Sequence, residues 1–196
     1  MAVLNNNQLG GASGQAGGYN LTDSLRFRRS AGASLNRQNT SAPTLNTKGT
    51  FSCWVKRGIL GDNDHYLIQT GSGTSNNNYM DIRFQAQDGL HIGQYSRTPY
   101  TIGSTGPSFR DTSAWYHLLV SFDSTSSTAS EREIKIYING TQVTTGTFGA
   151  IAQNDHFPLT IQSQDIYIGR HTPSYALYYD GYMTEVNLID GQAKAP

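Results

Sequence analysis

The chain has 196 residues, 36% of them hydrophobic and only 14% charged, with a formal net charge of zero, which excludes the basic footprint that nucleic-acid binding requires. Its one cysteine, Cys53, excludes an internal disulfide, and a chain of this length buries enough apolar surface to fold without a staple. No run approaches the ~18 apolar residues of a membrane helix, and near-zero net charge favours association, so the expected setting is an assembly, as a homo-oligomer or among other chains.

Residues 1–18 read as a low-complexity arm, with Asn5-Asn6-Asn7 followed by Gly10-Gly11 and Gly17-Gly18. Small and amide residues of this kind bury too little to order themselves. Either the arm is a loose terminus or it orders on docking against a neighbouring subunit. It has neither the basic nor the apolar region of a secretion signal, so folding in a reducing cytoplasm is expected.

Residues 19–196 read as one all-β domain, because short apolar runs alternate with turn signals throughout. Leu25-Arg26-Phe27 opens a strand. Phe51, Cys53 and Val55 share one face of the next, with Trp54 on the other. Tyr66-Leu67-Ile68 is a third. Tyr79–Gln85 is a fourth, alternating through Met80, Ile82 and Phe84. Asp88-Gly89 then turns the chain into Leu90-His91-Ile92.

Trp115–Asp123 alternates cleanly through Tyr116, Leu118, Val120 and Phe122. The strongest local signal follows, Ile134–Val143 around Asn139-Gly140, because Asn-Gly supplies the two positive φ angles of a type I′ hairpin. The implied register pairs Ile138 with Thr141 and Ile136 with Val143. Ile166 and Ile168 mark a further strand closed by Gly169. Tyr182–Ile189 gives the last, before Asp190-Gly191. No long window has a helical period, so helix content is negligible.

Catalytic signatures are missing. There is no Gly-x-Ser-x-Gly elbow, and the five histidines are scattered. Cys53 reads as a buried, inert thiol between Phe51 and Val55. No two histidines have zinc spacing. Asp62-Asn63-Asp64-His65 clusters oxygens but lacks the Gly and Glu of a helical calcium loop, so it reads as a solvated turn. Glycoside hydrolysis needs two carboxyls facing across a sugar. The glutamates spaced two apart, Glu131 and Glu133, read as a solvated rim. No catalytic residue is assigned. The remaining candidates are polar aromatic loops, Tyr95, Arg97 and Tyr100 in one and Tyr175, Tyr178 and Tyr179 in another, as ligand or interface residues.

In order along the chain stand Phe51-Ser-Cys-Trp54-Val-Lys56-Arg57, Trp115-Tyr-His117, Ile136-Tyr-Ile138-Asn139-Gly140, Ile166-Tyr-Ile168-Gly169 and Asp180-Gly181-Tyr182-Met183-Thr-Glu185-Val186. This succession resembles the laminin-G-like branch of the concanavalin A-like lectin/glucanase superfamily. Ser24-Leu-Arg-Phe27 and the stretch from Asp180 to Gln192 more specifically resemble virion proteins of tailed bacteriophages. The resemblance runs from about Tyr19 to Gln192.

It implies a two-sheet antiparallel jelly-roll sandwich whose concave face or rim loops bind glycans or proteins. Some members hold calcium through a carboxylate near the strand equivalent to Tyr79–Gln85, which makes Asp81 the candidate, with no other ligand assigned. The Glu-x-Asp-x-Glu strand of the glucanase branch is missing, which argues against an enzyme. The expectation is a non-enzymatic virion surface protein made in the host cytoplasm, a tail-fibre or capsid-decoration component. Its partners would be other virion proteins and a host surface glycan, with no nucleic acid and no membrane insertion. A free carbohydrate-binding lectin is the alternative, and a glycoside hydrolase the third reading. Phage relatives continue past the equivalent of Gln192, whereas this chain ends at Pro196.

Overall fold

The computed structural model describes residues 22–71, 78–94, 109–144 and 150–196, together with the backbone of 100–102; the expected arm at 1–18 lies outside them. Short alternating runs bury one face and wet the other, so they need a second layer to cover them. The strands are β1 (Leu25–Phe27), β2 (Leu35–Gln38), β3 (Lys48–Arg57), β4 (His65–Thr70), β5 (Met80–Phe84) and β6 (Leu90–Gln94). They continue with β7 (Tyr100–Ile102), β8 (Tyr116–Asp123), β9 (Glu133–Ile138), β10 (Thr141–Gln142), β11 (Asp165–Ile168) and β12 (Gly181–Asp190).

Two antiparallel sheets result, in the orders β1-β12-β3-β8-β9-β10 and β2-β11-β4-β5-β6-β7. Helix among the described residues is confined to single 3-10 turns at Arg29–Ala31, Ala129–Glu131 and Pro158–Thr160, and no helix there is long and apolar enough to cross a membrane. The molecule is the all-β sandwich that the alternation predicts.

The core lies between the sheets. Phe51, Cys53 and Val55 of β3 and Leu118, Val120 and Phe122 of β8 face Met80, Ile82 and Phe84 of β5 and Leu90 and Ile92 of β6, all fully buried. Each such large side chain contributes about 1.5–3 kcal/mol. Burial pushes the Cys53 thiol far above its ordinary pKa, so it stays protonated and inert. Trp54 projects from the opposite face and packs on His117, with ring centroids 4.9 Å apart.

The Asn-Gly hairpin has the expected register. Asn139 and Gly140 have φ of 51° and 80°, Thr141 pairs with Ile138, and the Val143 N–H donates to the Ile136 carbonyl at 2.8 Å.

Two features were not legible. β2 (Leu-Asn-Arg-Gln) has no alternation and is exposed along its length; it exists because its backbone completes the ladder beside β11. β12 carries a bulge, with a register shift between Thr184 and Asn187 and Glu185 at φ 50°. Strict alternation after Met183 would turn Glu185 inward. The extra residue sends it to solvent and packs Val186 against the core instead.

A charged pair ties one end of the sandwich together. Arg57 at the end of β3 and Asp88 in the β5–β6 turn have almost no exposed surface and meet at 2.8 Å. The guanidinium also donates to the Phe109 carbonyl at 2.9 Å and lies 4.7 Å from the Phe84 ring centre. Asp88 accepts from the Gly61 N–H at 3.0 Å and meets Arg110 at 3.1 Å. Loops 58–61, 85–89 and 109–110 therefore converge on one buried carboxylate.

Asp88→Asn keeps the shape and tolerates the φ of 66° but leaves Arg57 buried and unneutralised. It is expected to destabilise by about 3–5 kcal/mol, read by urea unfolding. Gly49→Ala tests the other end, since a Cβ there would stand 2.2 Å from Phe157 Cδ1. A loss of about 1–3 kcal/mol is expected, with an unchanged denaturant slope.

Candidate functional site: an aromatic and cationic face

Because Met80, Ile82 and Phe84 turn inward, Asp81 and Arg83 stand on the outer face of the second sheet. Register builds two rows there. One runs Tyr66–Arg83–His91 and the other Asn36–Tyr167–Gln69–Asp81–Gly93. Gly93 makes room for the second row, as a Cβ would lie 2.6 Å from Asp81 Oδ1.

Arg83 is the hub. Its Nε meets Asp64 at 3.0 Å, its Nη1 binds Asp81, and its guanidinium lies 5.2 Å from the Tyr66 ring centre. Burial pushes the Asp81 carboxyl above its ordinary range, while Arg83 and the Tyr79 hydroxyl pull it back. Burial likewise raises Tyr66 to about 12.

The Asp81 site does not fit a calcium ligand. The guanidinium of Arg83 stands between the two carboxylates that a cation would bridge, so an ion there would meet a fixed positive charge. No group of three or more His, Cys, Asp or Glu among the described residues is arranged for a metal.

Next to this hub, residues 169–179 fold into a small antiparallel loop. The Tyr179 N–H donates to the Gly169 carbonyl and the His171 N–H to the Leu177 carbonyl, both at 2.8 Å, with Arg170 opposite Tyr178. Tyr175 projects from the tip, 52% exposed. Its ring meets His171 edge-on at 4.6 Å, and His171 meets Tyr66 edge-on at 4.6 Å. A chain of rings thus runs from solvent to Arg83. Beside it the Arg170 guanidinium lies 5.9 Å from the Tyr167 ring centre and 5.0 Å from that of Tyr178.

Of the aromatic candidates, the fold therefore joins Tyr175 and Tyr178 and adds Tyr66, Tyr167, Arg170 and His171, which the sequence analysis missed. The signal was present in Ile166-Tyr-Ile-Gly-Arg-His171, where strand alternation turns Tyr167 outward and Gly169 ends the strand just before Arg170. Tyr179 is corrected to a core residue. It is fully buried and donates its hydroxyl to the Lys56 carbonyl at 2.8 Å, so it anchors the loop and offers no contact surface. Tyr95 and Arg97 lie outside the described residues. Tyr100 opens β7 by its backbone, opposite Ile92.

The Asp62–His65 turn is also more than a solvated loop. His65 Nδ1 accepts from the Asp180 N–H at 3.3 Å, so the neutral ring carries its proton on Nε2, which donates to Asp62 at 2.8 Å. Asp62 in turn binds Arg29. At the Glu131–Glu133 rim a shallow cleft of about 200 Å³ does form. Its carboxylates are occupied: Glu133 pairs with Lys135 at 3.0 Å and the neighbouring Asp123 with Lys48 at 2.8 Å, while Glu131 accepts from Ser126 at 2.6 Å.

Burial, helped by Arg83, lowers the His91 pKa to about 3. A histidine held neutral in the folded state binds its proton only on unfolding, so stability is lost as pH falls below the ordinary value near 6.5. Between about pH 6.5 and 4.5 His91 alone removes roughly 2 kcal/mol. Urea unfolding of wild type and His91→Gln at both pH values checks this, with a smaller acid loss expected in the variant.

A laminin G-type family model, described as the concanavalin A-like lectin/glucanases superfamily, matches residues 27–195. No curated protein sequence matches the chain. Among solved structures, domains LG4-5 of the mouse laminin α1 chain align at 11% identity and TM-score 0.51, over 84% of this chain and 39% of that one. The CBM40 of the Ruminococcus gnavus IT-sialidase, bound to α2,3 sialyllactose, aligns at 15% identity and TM-score 0.50, over 80% of this chain and 90% of that one. At these identities the structures testify to the fold alone. With the family model spanning most of its length, the chain belongs to the concanavalin A-like lectin/glucanases superfamily.

Proposed function

We propose that this chain is a non-enzymatic virion surface protein of a tailed bacteriophage, a tail-fibre or capsid-decoration component. Its jelly roll offers the Tyr175–His171–Tyr66 face to a host surface glycan, while residues 1–18 dock it among other virion proteins. The observation that carries the non-enzymatic part is the state of the carboxyls, every one of which lies among the described residues. Asp64 and Asp81 approach one another, but around the guanidinium of Arg83. Hydrolysis of a glycosidic bond needs that space open for the sugar. Recognition is supported by the exposed ring of Tyr175 at the end of a packed aromatic row, which presents a large rigid surface at low entropic cost.

Support for the virion setting comes from the segments that resemble phage virion proteins. Ser24–Phe27 and Asp180–Gln192 are far apart in sequence, yet Arg26 pairs with Tyr182 across the sheet, stacks over its ring at 4.7 Å and meets Asp180 at 2.9 Å. Three residues of the two segments, Arg26, Asp180 and Tyr182, thus meet at one place. A free lectin would use the same face, and the two readings part on where the protein resides.

Negative-stain imaging of particles labelled against this chain is expected to mark virions, and unlabelled virions would end the virion reading. On host cells or a glycan array, Tyr175→Ala is expected to cut binding about fivefold to tenfold, or about 1–1.4 kcal/mol. Its melting temperature should barely move, because the ring is half exposed. Release of reducing ends from host polysaccharide would overturn the non-enzymatic reading.

A further inference from the structure

Most arginines among the described residues are engaged within the molecule. Arg26, Arg29, Arg57, Arg83 and Arg110 each face an aspartate, and Arg132 donates to the carbonyls of Ser126, Ser127 and Ile151. Arg28 and Arg37 are exposed, with no ring beside them among the described residues.

Arg170 differs from all of these. It is held between two tyrosine rings, its Nε donates to the His171 carbonyl at 2.8 Å and its Nη2 to the Thr172 carbonyl at 3.4 Å. It has no carboxylate partner, although every Asp and Glu of the chain is among the described residues. Asp165, the acid on the adjoining strand, accepts instead from the Tyr167 hydroxyl at 3.3 Å. Nη1 has no partner among the described residues.

We infer that Arg170, with Tyr167 and Tyr178, is a carboxylate-binding site for an acidic sugar, a uronic or related acid. The inference rests on the recognition reading above and names its ligand class. A guanidinium offers a planar fork matched to a carboxylate. Here ring stacking and backbone carbonyls fix that fork in advance, so little freedom remains to be lost on binding. The flanking rings and Tyr175 supply faces for the sugar body. Electrostatics exclude a cationic ligand at the same place.

The test offers the purified full chain a set of uronic-acid oligosaccharides, each in native form and with its carboxyl reduced to the alcohol. A carboxyl-free sulfated oligosaccharide and inorganic phosphate are added to distinguish other oxyanions. Reduction is expected to weaken binding about tenfold or more. Arg170→Met is expected to bind native and reduced forms alike. Arg170→Lys, which keeps the charge but not the fork, should recover only part of the preference.

Wild-type protein that binds both forms within about twofold overturns the carboxylate site while leaving glycan recognition standing. Selective binding of the sulfated sugar or of phosphate overturns it in favour of another anion. Binding of no sugar in either form overturns the recognition reading and this inference with it. The wild-type comparison needs no variant, so a poorly folding Arg170→Met leaves the test intact.

Discussion

The junction at Tyr179 and Asp180 is the constraint on which both the sandwich and the rim depend. Asp180 accepts from Arg26 at 2.9 Å and from the Arg29 N–H at 3.1 Å. Its own N–H donates to His65, and its carbonyl accepts from the Gly58 N–H at 2.9 Å. One residue therefore joins β1 and the end of β3, both in the first sheet, to β4 in the second. Tyr179 beside it closes the core and caps the Lys56 carbonyl. Loop 169–178 leaves from this fixed point, so the placement of Arg170, Tyr175 and Tyr178 is inherited from packing more than from the loop itself. Ligand-facing groups held by a rigid scaffold bind with little reordering.

The same economy governs charge. A chain with few ionisable groups and no net charge places several of them inside, and each must then meet its opposite. Arg57 and Asp88 do so in the dry end of the sandwich, Arg83 and its two aspartates on the outer face of the second sheet. Both arrangements neutralise charges that would otherwise be held out of water without a partner. Arg170, beside the rings of Tyr167 and Tyr178, has no carboxylate partner among the described residues.

How much of this was legible follows the range of each signal. Strand alternation and turn residues are local, so β3, β5, β8, β9 and the Asn139-Gly140 hairpin could be read with their inward faces and, for the hairpin, its register. β2 carries no such pattern, because its stability comes from pairing alone. The Glu185 bulge is a choice between burying a charge and bending a strand, and that choice appears only once β3 fixes the neighbouring register. Among the tyrosines, adjacency misled: Tyr178 and Tyr179 are neighbours in sequence, but strand-like backbone sends successive side chains to opposite sides, one to the rim and one to the core.

The sequence by itself determined the class of fold, the two-faced strands and the burial of Cys53. These follow from periods of two and from contacts a few residues apart. Only the tertiary structure decided that Arg83 fills the space between Asp64 and Asp81, that His65 links Asp62 to Asp180, and that Arg170 stands between rings without an acid of its own. Such pairings join groups many residues apart along the chain. No local pattern encodes them, because their partners are set by strand order and register across a whole sheet.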